Sequence, residues 1–131
     1  MSTTTQKPSF TMPPMSAEHQ ATAHVASRLC EMIREHRNLD AIRELYADNA
    51  RHVEVMGGPG CDRIMEGKPA LLQKAEQFGK SITVHDSSIG KPRVNGDQFV
   101  VDMMLDCTSH DGPMKGMRMK MEETALYTVK H

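Results

Sequence analysis

Asn95-Gly96-Asp97-Gln98-Phe99-Val100-Val101-Asp102-Met103-Met104-Leu105-Asp106-Cys107-Thr108-Ser109 decides how this chain folds. Asn and Gly both accept positive φ, so Asn95-Gly96 predicts a hairpin turn between two strands. From Gln98 the residues alternate. Phe99, Val101, Met103, Leu105 and Cys107 share one face, and Asp102, Asp106 and Thr108 lie on the other with Val100 and Met104. Asp111-Gly112 turns the chain again. Residues 114–129 then repeat the pattern, with Met117, Met119, Met121, Ala125, Tyr127 and Val129 opposite Arg118, Lys120, Glu122 and Thr128. Upstream, residues 81–89 read as extended. The carboxyl-terminal half is therefore a meander of antiparallel strands.

Before it the period changes from two to about 3.6. Ser16 is a candidate N-cap with Glu18 in the first turn, and Ala21, Val25, Leu29, Met32 and Ile33 recur at helical spacing through about His36. Asn38 is placed to cap a second, shorter helix with Leu39, Ile42, Leu45 and Tyr46 inward, ending near residues 48–49. Residues 51–56 alternate: Arg51, Val53 and Val55 point one way, and His52, Glu54 and Met56 the other. The Gly-Gly-Pro-Gly run at 57–60 is a loop, and 63–65 a short extended piece. Gly67-Lys68-Pro69 opens a third helix, in which Leu71, Leu72, Ala75 and Phe78 form the inward stripe and Gly79 is the expected stop. Helices grouped before a run of antiparallel strands predict an α+β fold with one sheet face covered.

Composition narrows the setting. A chain of 131 residues has room for one core. Its hydrophobic fraction of 38% and mean hydropathy of −0.52 are low because residues 1–15, with four Thr and three Pro, carry no apolar periodicity. That segment is expected to be a disordered arm. The remainder, 16–131, reads as a single domain. A net charge of −1 with scattered Lys and Arg gives no footprint for nucleic acid or an anionic membrane. Neither a signal peptide nor a long apolar run is visible. Cys30, Cys61 and Cys107 are too widely spaced for a zinc knuckle or redox pair, and fit reduced thiols in a cytoplasmic protein. Twelve Met with no Trp is unusual; Met fills irregular space and suits an adaptable pocket wall, though most should be core filler.

Three stretches carry a resemblance. Asn38-Leu39-Asp40-Ala41-Ile42-Arg43-Glu44-Leu45-Tyr46-Ala47-Asp48-Asn49-Ala50 resembles the helix-to-strand junction of the nuclear-transport-factor-2-like superfamily, closest to its SnoaL-like and ketosteroid-isomerase-like branch. Glu66-Gly67-Lys68-Pro69-Ala70-Leu71 resembles that group's opening of the third helix, and Leu126-Tyr127-Thr128-Val129-Lys130 its last strand. The resemblance implies a cystatin-like, cone-shaped curved antiparallel sheet packed against three helices around a pocket, usually in a dimer. It also implies functions from isomerase, cyclase, dehydratase and hydrolase chemistry to non-catalytic ligand binding. Family members usually add a closing strand after the last motif. Here the sequence given ends at His131, so either that strand is missing from it or a partner covers the exposed edge; the second, with the resemblance, favours a homodimer through the sheet.

Two carboxylates stand out on the residues alone. Glu123 interrupts the apolar stripe of the last strand, and Glu54 lies inside the run 53–56, so each needs a partner or a polar cavity. Matched to the isomerase pattern, Glu54 falls on the general base, and Glu123 on or one residue from the second pocket acid, with Thr124 the other candidate. Such a site works by pushing the pKa values of two acids apart: one takes a proton α to a carbonyl, and the other donates to the developing oxyanion. Cys30 falls where an oxyanion-donating Tyr lies in that pattern, which disfavours steroid isomerisation itself. Tyr46 matches a packing position. His52, on the face of Glu54, is a second titratable candidate.

Met56, Met119, Met121, Ala125 and Tyr127 are the expected pocket wall. The bland alternative is that Glu54 and Glu123 are simply paired with a nearby Arg or Lys, or lie at a dimer interface. His52 and Glu54 are only two potential ligands, so no metal centre is expected. Nor is any cofactor, since the 57–60 glycines lack the Lys-Ser/Thr of a phosphate loop. His110 reads as solvated, and Cys61-Asp62 lacks a base. The expected partners are a small apolar molecule and a second copy, not nucleic acid or membrane.

Overall fold

The computed structural model describes residues 15–54 and 63–131. Among the described residues nine elements follow the expected order: α1 (Ala17–Arg34), α2 (Asn38–Leu45), β1 (Arg51–Val53), β2 (Ile64–Glu66), α3 (Lys68–Ser81), β3 (Ile82–Ile89), β4 (Arg93–Asn95), β5 (Gln98–Ser109) and β6 (Arg118–Thr128). Three helices and a curved antiparallel sheet make the predicted α+β fold. Among the described residues, no helix is long and apolar enough to cross a membrane.

Strand β5 is the centre of the sheet. β3 and β4 pair successively along one edge of it and β6 along the other. The ladder with β3 shifts register between Val84 and Asp86. Such a bulge adds a residue to one strand and bends it. The turn between β4 and β5 is tight: Asn95 pairs with Gln98, and Gly96, at φ 61°, is the first of the two loop residues. Positive φ at that position is what the right-handed twist of the flanking strands demands. β1 and β2 form a separate two-stranded hairpin that packs against α3.

The inner face of β5 is the row read from the sequence. Phe99, Val101 and Cys107 are buried, with Met103 and Leu105 half-buried. α1 covers this face with Ala26, Leu29, Cys30 and Met32. Phe99 is 2% exposed and stacks on Tyr127, with ring centroids 4.8 Å apart.

Ser16 caps α1 as expected, accepting the amide of His19 at 3.0 Å. Its buried stripe differs by one position at the start: Thr22 is buried and Ala21 exposed. Thr22 lies one turn before Ala26, in line with Leu29, so the helical period selects it once that stripe is fixed. The helix closes with a Schellman motif. His36, at φ 59°, donates its amide to Ile33 O at 3.0 Å, and Arg37 donates to Met32 O at 2.9 Å.

That closure occupies Arg37, so α2 begins at once with Arg37 in the cap position and no side-chain cap; the cap expected from Asn38 does not form. α2 ends at Leu45, earlier than expected, because residues 48–50 serve the next helix. Lys68 donates its amide to Asp48 O, and Gly67 to Ala50 O, both at 2.9 Å. Gly67 there has φ 91°, a conformation an L residue rarely adopts. α3 runs through Gly79 rather than stopping there. It ends at Ser81, whose hydroxyl donates to Phe78 O at 2.9 Å and satisfies a last-turn carbonyl. Its inward stripe is buried at Leu71 but fades to Phe78, which is 45% exposed.

Candidate functional site

β1 places His52 and Glu54 on one side of the hairpin by simple alternation, with Arg51 and Val53 on the other. The side chains of His52 and Glu54 meet: the imidazole Nε2 donates to Glu54 Oε1 at 2.6 Å. From α3, Lys74 Nζ donates to the same oxygen at 3.3 Å. The backbone locks the position, since the Glu54 amide donates to Arg63 O at 2.7 Å and Arg63 Nε donates back to Glu54 O at 3.2 Å. Both dyad side chains are more than a third exposed, 40% for His52 and 36% for Glu54.

This geometry fixes the charge on Glu54. The hydrogen bond from His52 holds its carboxyl below the usual carboxylate range. Partial burial opposes that shift, and Lys74 adds to it. An acid held ionised in this way is a weaker base than a free glutamate. Glu54 thus has the partners that its place in an apolar run requires, and is not lifted toward neutrality. What Glu54 does instead is accept the hydrogen bond that orients the His52 imidazole.

Glu123 lies elsewhere. On β6 it pairs with Met103 of β5, so it shares the inner face with Met119, Met121, Ala125 and Tyr127. It is exposed, as is Met121 at 37%; Met119, Ala125 and Tyr127 are half-buried. Among the described residues, neither a hydrogen bond nor an ion pair joins Glu54 to Glu123, and Thr124 points to the outer face, donating to Asp102 Oδ1 at 2.6 Å. Met56, with Cys61 and Asp62, lies outside the described residues.

Behind Glu123 the inner face ends in phenols. Tyr46, just past α2, meets Tyr127 edge-on with centroids 6.5 Å apart. Burial raises the pKa of both; at Tyr127 the rise is large, with Tyr46, Glu123 and Cys30 adding to it. Both phenols remain O–H donors throughout the neutral range. Cys30 is itself buried and its thiol is pushed up by desolvation.

A groove of about 510 Å³ opens on the sheet, lined by Ser88, Gly90, Asp102, Met104, Glu122 and Thr124 together with Met103 and Glu123. Most of these belong to the outer face by register, and none of Met119, Met121, Ala125 or Tyr127 lines it. Also on the outer side, His85 Nε2 meets the Thr108 hydroxyl at 2.6 Å and His110 meets that of Thr83, so His110 is tied to β3 rather than merely solvated. Among the described residues, no group of three His, Cys, Asp or Glu is placed to hold a metal ion.

Lys74 is the functional neighbour that reading the sequence missed. A signal was present: it follows buried Leu71 by three residues on the inward side of α3, where a lysine needs an acidic partner.

The same fold recurs in solved structures. A protein of Mesorhizobium loti, provisionally described as a SnoaL-like polyketide cyclase with carbohydrate phosphatase in brackets, is 35% identical. The match has a TM-score of 0.75 and covers 82% of this chain and 88% of that one. A provisional isomerase of Bacillus subtilis matches at 16% identity and a TM-score of 0.64, covering 88% and 81% of the two chains. A provisional SnoaL-like polyketide cyclase of Jannaschia sp. matches at 17% identity and a TM-score of 0.58, covering 91% and 83%. The two more distant matches speak for the fold alone. No curated protein matches the chain. The family model of the SnoaL-like domain spans residues 20–131, from the first turns of α1 to the end of β6 and beyond. With that span, the helix–helix–hairpin–helix–meander order and a 35% identical relative of the same fold, this chain belongs to the SnoaL-like domain family.

Proposed function

We propose that this SnoaL-like protein binds a small apolar carbonyl or hydroxy compound and moves a proton on it, in the manner of an isomerase, cyclase or dehydratase. His52 is the proton carrier in this reading, and Glu54 holds its ring. The observation that carries it is the 2.6 Å contact between His52 Nε2 and Glu54 Oε1. An imidazole can both give and take a proton, and a carboxylate hydrogen-bonded to one ring nitrogen leaves the other for a reacting proton. Glu123 supplies a second carboxylate on the inner face, while Met119, Met121, Ala125 and Tyr127 form the apolar wall. Two buried, reduced thiols, Cys30 and Cys107, support a cytoplasmic setting.

The test is exchange of α-hydrogen for deuterium in a panel of apolar 1,3-dicarbonyl compounds, followed by NMR. His52→Gln should slow exchange by about 10²- to 10⁴-fold, the span of general acid–base contributions. Equal rates for wild type and His52→Gln across the panel would refute the proposal.

A second reading has its own observation. The Lys74–Glu54 contact at 3.3 Å also ties the hairpin to α3, which suits a non-catalytic ligand-binding module with the cluster as an anchor. In that case Lys74→Met lowers stability and leaves ligand binding in place. We also propose a homodimer through the outer sheet face, where Leu126 is 63% exposed beside its cross-strand neighbour Val100. Sedimentation equilibrium of wild type and Leu126→Glu checks it; a wild-type monomer refutes it.

A further inference from the structure

Proton transfer at His52 leaves the cationic groups around it without a task. Lys74 Nζ and His52 Nε2 both donate to one atom, Glu54 Oε1, at 3.3 Å and 2.6 Å, so the two nitrogens converge on a single point between β1 and α3. Arg63, just before β2, reaches the same residue, but its Nε is spent on the Glu54 carbonyl oxygen at 3.2 Å. Among the described residues it pairs with no carboxylate. One glutamate therefore answers both Lys74 and Arg63. The other charges of α3 and the hairpin cancel in pairs: Arg51 with Glu66, Lys68 with Asp48, and Lys80 with Glu76. The cationic excess is confined to the surroundings of His52.

Lys74 also has donors to spare. Lys68 Nζ, by contrast, is held between Arg43 O at 3.0 Å and Asp48 at 3.6 Å. An ammonium carries three N–H donors, and among the described residues Lys74 uses one, on Glu54. Its side chain is 32% exposed, open to an incoming ligand yet partly screened from water. A charge-assisted hydrogen bond is stronger there than in open solvent.

Apolar surface continues from this lysine. Leu71, Lys74 and Phe78 share one stripe of α3, at steps of three and four residues. Leu71 is buried, whereas Phe78, one turn beyond Lys74 and about 6 Å along the axis, is 45% exposed. α3 runs directly into β3 and packs against it. On that strand Val84 lies opposite buried Cys107, on the inner face, and is 47% exposed. Two large apolar side chains on inward positions are thus left uncovered on the far side of a lysine with unused donors.

We propose that the ligand of this site is an apolar carboxylic acid, with its carboxylate on Lys74 Nζ beside His52 and its hydrocarbon body lying along Phe78 toward Val84. The carboxylate takes the spare donors of Lys74 and balances the excess charge, and the body covers the two exposed side chains. A neutral compound of the same shape covers the apolar surface but leaves the charge unanswered. The inference rests on the site proposed above and adds the class of compound it takes.

The test measures dissociation constants by ¹H–¹⁵N NMR titration of the full chain with three probes: octanoate, 1-octanol and acetate. Octanoate should bind about tenfold or more tighter than 1-octanol, the difference being one charge-assisted contact. Acetate, which lacks the body, should bind far more weakly than octanoate. Shifts should fall on the amides of α3 and β3. Lys74→Met, which keeps the stem, should lower octanoate affinity to the level of 1-octanol and leave 1-octanol unchanged, so the alcohol reports that the variant is folded. Lys74→Arg should retain the preference. Phe78→Ser, at an exposed position, should weaken both eight-carbon probes alike. Equal binding of octanoate and 1-octanol by the parent chain overturns the proposal, as does a Lys74→Met variant that melts lower but keeps the preference, since Lys74 is then an anchor for the hairpin alone. Unchanged affinities in Phe78→Ser, or acetate binding like octanoate, overturn the placement of the body. If the preference holds and His52→Gln leaves deuterium exchange unaltered, the proton-transfer reading falls by itself. Loss of the preference with exchange still dependent on His52 removes only the acid.

Discussion

Replacing Phe99 by Leu tests the packing that seats the sheet under α1. Phe99 is 2% exposed, and its ring lies flat on Tyr127, 4.8 Å between centroids with the planes 12° apart. Leu keeps the site apolar but removes the stack and leaves part of the ring volume empty. Imperfect volume replacement in a core costs about 1 to 1.5 kcal/mol. Loss of an aromatic pair adds about 0.5 to 1.5 kcal/mol. The sum, about 2 kcal/mol, is a large part of a typical domain stability of roughly 5–15 kcal/mol, yet leaves the variant folded. With a urea m-value of about 1.5 kcal/mol/M, the unfolding midpoint should fall by about 1.3 M at unchanged m. Met15→Ala, at a residue 64% exposed just before α1, is the control and should move the midpoint little. If Phe99→Leu shifts the midpoint no more than this control, the stack does not hold the sheet to the helix and the reasoning fails.

The remaining predictions concern titration and the backbone. Glu54 should titrate below the ordinary glutamate value of about 4.3, and Lys74→Met should bring it back toward that value; carboxyl NMR reads both, and a midpoint at or above the ordinary value contradicts the ion-pair geometry. Because the folded-state pKa is depressed, the contribution of this group to stability is present above the unfolded-state pKa. It is lost as pH falls through the folded-state pKa. The two tyrosines are the chain's whole complement and both are raised, so no phenolate absorbance should develop near pH 10 while the protein is folded. Stability should then fall as pH climbs past the unfolded tyrosine pKa, since only the unfolded chain releases those protons there. His36→Gly should stabilise the protein by about 0.5–1 kcal/mol in urea titration, because glycine takes the left-handed position closing α1 without the Cβ penalty.

Local periodicity determined much of this protein. The alternation of Gln98–Ser109 set which side chains enter the core, and Phe99, Val101 and Cys107 are buried as that alternation requires. Ser16, Pro69 and Gly96 marked element boundaries because capping, fixed φ and positive φ are properties of one or two residues. The family, too, was legible, because its motifs lie in the order of those elements.

What the sequence could not determine was the company each side chain keeps. Glu54 reads as an acid in an apolar run until Lys74, twenty residues on, reaches it from α3 and His52 turns onto the same oxygen. Glu123 interrupts an apolar stripe, yet the structure leaves it exposed and without an ion-pair partner among the described residues. Tyr46, just past the end of α2 at Leu45, meets Tyr127 of β6, eighty-one residues away in the chain. Charge state and pocket shape depend on distances of a few ångströms between residues far apart in the chain. Those distances are set by helix packing and sheet curvature rather than by any local pattern.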